Sequence, residues 1–173
     1  KIVSDPVSVI VTEEPLPWEG NGTEESPYLI RNDSDLETLR DKVNKDGFTF
    51  SDAYFKLDAD ITLPDGWKPI GATKDGRVNL QEGANLNAFS GIFDGAGHTI
   101  TVPEDGLPLF GYVRNTRIRN LNIYGKKIAG YGLVNNFEGV GLSGSAVEID
   151  NVTLKSGSST LKSGLLGANK TVN

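Results

Sequence analysis

His98 is the single histidine among 173 residues, and an imidazole of this kind could act as a general base near neutral pH. It sits in the run Asp94-Gly95-Ala96-Gly97-His98-Thr99-Ile100, which reads as a turn followed by a strand. That setting assigns it to the fold more readily than to chemistry. Asp58 and Asp60 lie two apart, and on one continuous strand they would share a face and offer oxygen ligands suited to calcium. The plainer reading is a solvated outer face beside Lys56. No Asp-Asp pair supplies the adjacent carboxylates that glycoside hydrolysis generally uses, although separated acids could converge in space. Asp94-Gly95-Ala96-Gly97 is glycine-rich but precedes a strand, whereas a phosphate loop needs a helix N-terminus behind it. Cysteine is absent, which excludes disulfides, thiolate catalysis and cysteine-ligated zinc. Trp18, Trp67, Tyr112, Tyr124 and Tyr131 are the aromatic residues that could stack on sugars. Both tryptophans read as core packing, because large rings supply much of the burial in a small core. Tyr112, Tyr124 and Tyr131 remain as ligand-binding candidates. No residue is assigned a catalytic, metal-binding or cofactor role.

The elements that must position these residues follow from periodicity. Tyr28-Leu29-Ile30 reads as a short strand. Asp35 to Lys45 reads as one amphipathic helix, with Leu36, Leu39 and Val43 on one face. Ser34 and Glu37 have capping-box spacing, and Gly47 suits the stop. From Tyr54 to Leu63 the pattern alternates, with Phe55, Leu57, Ala59, Ile61 and Leu63 on one side. Trp67 to Gly71 starts a further strand, and Thr73 to Asn87 reads as a long polar loop. In the second half, Leu109, Leu121, Leu133, Val152 and Leu165 mark a repeat, with one longer interval between Leu133 and Val152. Two of the regular intervals make a coil of about 24 residues, in the solenoid range, with roughly seven inserted between Phe137 and Ser145. Leu121 should then face inward. Arg119 would share its face under strict alternation, so a bend is expected at Asn120, a residue that tolerates left-handed angles.

A chain of this length fits one domain. Val7 to Thr12 reads as a strand, and Glu13-Glu14-Pro15-Leu16-Pro17 interrupts it. Residues 1–17 are accordingly read as a linker or the terminal strand of a preceding domain, and 18–173 as a capped β-solenoid module. An edge strand of the same domain explains the first segment equally well. The chain contains no methionine, hence no initiator residue, and reads as a processed product or a piece of a longer one. Its net charge of −6, with Lys and Arg scattered among acids, argues against nucleic-acid binding. No stretch reaches membrane-spanning length. The 21 glycines point to many tight turns.

Several of these segments, in order and spacing, resemble one known family. They are Trp18-Glu19-Gly20-Asn21-Gly22-Thr23, Pro27-Tyr28-Leu29-Ile30, the helix, Tyr54 to Ile61, and Pro69-Ile70-Gly71. Phe89-Ser90-Gly91-Ile92-Phe93-Asp94-Gly95-Ala96-Gly97-His98-Thr99-Ile100 and Leu109-Phe110-Gly111 complete the series. Together they look like the opening of GLUG-repeat proteins, over about Trp18 to Gly167. Gly132-Leu133-Val134 and Gly164-Leu165-Leu166-Gly167 look like degenerate repeats, with Asn135 standing where the repeat would end in glycine. The resemblance implies a mainly β fold, a right-handed parallel β-helix with one N-terminal capping helix, in large bacterial extracellular proteins.

The resulting expectation is a non-catalytic extracellular module of a bacterial surface or secreted protein, acting as a spacer or adhesive surface. Its partners would be protein or glycan surfaces and further repeats of the same polypeptide, without nucleic acid, membrane insertion or cofactor. The alternative is a fragment of a polysaccharide-active β-helix lyase or hydrolase. Acids clustered on adjacent coils beside a base would mark that alternative.

Overall fold

A computed structural model describes residues 15–72, 87–103, 105–125, 133–138, 147–156 and 166–169. The chain is mainly β, with one helix among the described residues and every strand pairing parallel. Strand β1 (Tyr28–Ile30) leads into helix α1 (Asp33–Asn44), followed by β2 (Tyr54–Leu57) and β3 (Ile61–Thr62). Next come β4 (Ile92–Asp94), β5 (Thr99–Val102), β6 (Phe110–Arg114) and the long β7 (Thr116–Gly125). The last three are β8 (Val134–Glu138), β9 (Val147–Ser156) and β10 (Leu166–Asn169).

The pairing joins distant segments in fixed register. Tyr28, Phe55, Phe93, Ile118 and Ile149 are successive neighbours on one ladder: Phe55 pairs with Tyr28 and Phe93, and Ile118 with Phe93 and Ile149. A second ladder aligns Ile61, Ile100, Ile123 and Leu154. A third aligns Phe110, Val134 and Leu166, and Ile70 bridges to Phe110. The first half of β7 therefore pairs with β4 and the second half with β5, while β9 follows both halves. The step from Phe110 to its partner Val134 equals the coil length expected from the leucine spacing. The step from Leu121 to its partner Val152 is longer, so the expected insertion falls between paired rungs.

Several expected elements differ. Helix α1 begins two residues earlier than the capping-box spacing predicts. Asn32, not Ser34, is the N-cap: its side chain accepts a hydrogen bond from the Asp35 amide at 2.9 Å, and the Asp35 carboxylate accepts from the Arg31 amide at 2.8 Å. Asparagine is an equally strong cap, and the pair satisfies the Asp35 and Arg31 amides where the helix begins. The helix ends at Asn44 rather than Lys45. The single strand expected from Tyr54 to Leu63 is two strands, broken at Asp58–Asp60; Phe55, Leu57, Ile61 and Leu63 are buried as the alternation predicts, whereas Ala59, within the break, is only half-buried. Trp67 to Gly71 is an isolated bridge at Ile70, not a strand. The expected strand Val7 to Thr12 and most of the loop Thr73 to Asn87 lie outside the described residues.

The core is apolar and aromatic. Trp18 packs against Tyr28, Phe50 and Phe55, and rings continue from Phe55 through Phe89 and Phe110 to Phe93 at centroid separations of 5.3–5.8 Å. The contacts are tilted and edge-on except for the stacked pair Phe89–Phe110, and tilted or edge geometry suits the ring quadrupoles. Leu36, Leu39 and Val43 bury the apolar face of α1 in the same core. Both tryptophans are buried as the sequence predicts, and each indole N–H finds a carbonyl: Asp35 for Trp18 and Pro108 for Trp67.

Candidate functional site

The two faces of β7 are set by one residue. Ile118 and Leu121 are both buried, three positions apart, and strict alternation would put them on opposite faces. Asn120 lies between them with φ 51°, and this left-handed residue turns the strand so that Leu121 points in and Arg119 stays outside. Asn151 repeats the device on β9 with φ 49°. The corner side chains are tied to one another. Asn120 Nδ2 donates to Asp94 Oδ1 at 3.2 Å, and Asn151 Nδ2 donates to Asn120 Oδ1 at 2.9 Å.

The glycine-rich run occupies the same corner one rung earlier. The Ala96 amide donates to Asp94 Oδ1 at 2.8 Å, closing a tight turn. A Cβ on Gly95 would sit 2.5 Å from the Asn120 carbonyl oxygen and 2.6 Å from the Leu121 Cα. Glycine is required there because the next rung's backbone passes so close. The run is thus the tight turn between β4 and β5, packed against the backbone of β7.

The acids and the histidine are placed by this geometry too. Asp58 and Asp60 lie at the break between β2 and β3, not on one strand face. Asp58 pairs with Arg31 at 3.3 Å. Asp60 accepts from the Thr99 amide at 2.8 Å and faces His98 Nδ1 at 3.2 Å. The Thr99 N–H, and then His98, hold its carboxyl below the usual carboxylate range. His98 and Asp60 therefore link β3 to β5 across a corner. Among the described residues, no group of three or more acids and histidines is disposed to hold a metal ion.

Of the three candidate tyrosines, Tyr112 lies in β6 with only 7% of its surface exposed, which leaves little ring for stacking on a ligand. Tyr124 is 42% exposed, near the end of β7. Tyr131 lies outside the described residues. Tyr124 stands in an outward array: Thr62 aligns with Thr101 and Thr101 with Tyr124, while Thr99 aligns with Asn122. On β9, Thr153 and Lys155 continue the two columns. A face of hydroxyls, one amide and the exposed Lys155 ammonium around a projecting ring can hydrogen-bond and stack at once. The sequence singled out Tyr124 but not its neighbours, because only the register shows that residues distant in the chain share a column.

The other outward face is charged in alternation. Lys56 aligns with Asp94, Asp94 with Arg119, and Arg119 with Asp150, while Arg117 aligns with Glu148. Arg119 Nε donates to Asp94 Oδ2 at 2.8 Å, and Arg117 pairs with Glu148. Partial burial opposes ionisation of Asp94, but the Ala96 amide, Asn120 and Arg119 outweigh it and hold its carboxyl below the usual range. A carboxyl with a depressed folded-state pKa stabilises the fold above its unfolded value and loses that contribution as pH falls through the folded value. Stability should therefore decline below about pH 4, the ordinary aspartate range. In Asp94→Asn, urea midpoints measured against pH should show a shallower acid limb. An unchanged slope would remove Asp94 from the set of groups responsible.

The fold and site define a mainly β, parallel-stranded chain with one helix, and among the described residues no helix is long and apolar enough to cross a membrane. No family model matches the chain. It is 31% identical over 151 residues to halomucin of Haloquadratum walsbyi, a match covering 82% of this chain and 2% of halomucin. It is 33% identical over 159 residues to a protein of Evansella cellulosilytica provisionally named a Gly-rich membrane protein, covering 80% of this chain and 15% of that one. The chain thus spans a small part of the relatives it matches. A Bacteroides ovatus crystal structure, provisionally named an immunoglobulin A1 protease, superposes with a TM-score of 0.54 at 23% identity, covering 79% of this chain and 40% of that one. This likeness concerns the fold alone.

Proposed function

We propose that the chain is a non-catalytic extracellular module, a right-handed parallel β-helix of the GLUG-repeat type capped at its N-terminal end by α1. Its role is to space and present an adhesive outer face. The observation that carries this reading is the register. Three ladders of parallel strands repeat along the chain, apolar residues recur at aligned positions, and an asparagine marks the same corner on two rungs. Stacked coils of this type bury a continuous core that none could bury alone, and they expose long flat faces. The named relatives, a halomucin and a Gly-rich membrane protein, fit a place at or outside the cell surface.

The contact surface in this reading is the outward array around Tyr124. Its ring would stack on the apolar face of a pyranose, while Thr99, Thr101, Asn122 and Thr153 offer donors and acceptors to sugar hydroxyls. Four acids of the described residues are committed elsewhere: Asp58 to Arg31, Asp60 to Thr99, Asp94 to Ala96 and Arg119, and Glu148 to Arg117. That arrangement serves corners and rungs rather than bond cleavage. Glycan-array binding followed by titration of the best hits should show saturable binding without release of reducing or unsaturated ends. Tyr124→Ala should weaken it by about fivefold or more, the loss expected of an anchoring aromatic. Product formation would instead favour the polysaccharide-active alternative. Binding untouched by Tyr124→Ala would move the contact surface elsewhere.

A further inference from the structure

The strand β7 is covered on both sides, by β4 and β5 on one and β9 on the other, and its inward residues Ile118, Leu121 and Ile123 are almost wholly buried. Their counterparts on β9, Ile149, Val152 and Leu154, together with Val147, are only partly buried. Among the described residues, β9 pairs on one side only. Its far edge offers backbone donors and acceptors above a row of half-covered apolar side chains.

Two further features of that edge have a direction. The corner amides both donate toward earlier rungs, Asn151 to Asn120 and Asn120 to Asp94, so the β9 end of the ladder presents the Asn151 Oδ1 as an acceptor. The outer charge column runs Lys56, Asp94, Arg119, Asp150, and no described residue pairs with the exposed Asp150 carboxylate. Alternation along this column places a cation at the next position, and opposite charges directly across a strand pair stabilise it.

We propose that the β9 edge docks a parallel strand of defined chemistry. The strand carries Lys or Arg aligned with Asp150, a side-chain amide at the corner beside Asn151, and apolar residues aligned with Val147, Ile149, Val152 and Leu154. The inference rests on the stacking reading above and deepens it by naming the chemistry of the strand that this edge accepts. A second copy joined head to tail fits less well, because the outer side of β1 is already engaged: the Leu29 amide donates to the Glu19 carbonyl at 3.0 Å. Addition of a strand to an exposed edge draws affinity from the backbone and specificity from side chains at alternate positions.

The β7 sequence has the required pattern and supplies a probe. A labelled synthetic peptide of the Thr116–Gly125 sequence should bind the full chain, as read by fluorescence anisotropy. The same peptide with Arg117→Glu and Arg119→Glu should bind about five- to tenfold more weakly, since two cross-strand pairs change from attraction to repulsion. In the chain, Asp150→Lys should abolish or invert this preference and Asp150→Asn should reduce it, with circular dichroism confirming that both variants fold. Equal binding of the two peptides, or none by either at millimolar concentration, would overturn the proposal. So would a dimer of the peptide-free chain that Asp150→Lys dissociates, which would give the edge to a second copy. Hydrogen exchange separates this failure from that of the stacking reading: protected β7 amides with no peptide selectivity would sink only the proposal, while unprotected β7 amides would sink the stack itself.

Discussion

Leu121→Ala is expected to destabilise the chain by roughly 2–5 kcal/mol, read as a fall in urea midpoint with little change in slope. Leu121 is 1% exposed, aligned with Val152 on β9, and its backbone lies against Gly95 on the earlier rung. Neighbours on both sides are held by ladder hydrogen bonds, so they cannot collapse into the space that truncation leaves. Arg119→Ala, two residues earlier, should cost less than about 1 kcal/mol. The Arg119 side chain is 27% exposed and that of its partner Asp94 19%, so the pair lies near the surface. The opposite order of effects would mean that Asn120 does not turn the strand as described, and the inner and outer faces of β7 would have to be exchanged.

Asn44→Ala is expected to destabilise by on the order of 3 kcal/mol, because three buried backbone groups lose their partner at once. Asn44 is 5% exposed at the end of α1. Its Nδ2 donates to the Pro69 carbonyl at 2.9 Å, and its Oδ1 accepts from the Gly71 and Ala72 amides at 2.8 and 3.0 Å. This one side chain fastens the helix to the segment that bridges to β6. Gly71 must be glycine, since at φ 79° any Cβ would meet the Tyr112 carbonyl oxygen at 2.0 Å. Asn44→Asp keeps both acceptor contacts but sets a buried carboxylate oxygen against the Pro69 carbonyl, so it should recover only part of the loss. Thermal unfolding of the two variants side by side would check this. Equal destabilisation by both would show that the volume or charge at this site matters more than the two accepted hydrogen bonds.

Much of the core was legible in the sequence. The alternation from Tyr54 to Leu63 points to Phe55, Leu57, Ala59, Ile61 and Leu63, the helix periodicity to Leu36, Leu39 and Val43, and all of these except the half-buried Ala59 are in the core. The coil length expected from the leucine spacing reappears as the pairing of Phe110 with Val134, and the expected bend at Asn120 is a left-handed residue. These features are local or periodic, so side-chain type and spacing carry them directly. Strand boundaries were less legible. Asp58 and Asp60 continue the alternation of their flanks, yet they form a corner because Asp58 binds Arg31 and Asp60 binds Thr99 and His98, partners far away in the chain.

The candidate surface divides in the same way. Residue types and their order were enough to establish which side chains are apolar, where they repeat, that glycine and asparagine punctuate them, and that no cysteine chemistry is available. They also singled out Tyr112 and Tyr124 as rings that could project. Folding settled that Tyr112 is buried while Tyr124 is exposed, although both follow apolar strand residues. It also aligned Tyr124 with Thr101, Arg119 with Asp94 and Asp150, and Asn120 with Asn151. Periodicity assigns a residue to the inside or the outside of a strand, but a column of side chains is formed across strands. Its membership depends on backbone register, which is settled by packing and hydrogen bonds between residues far apart in the chain.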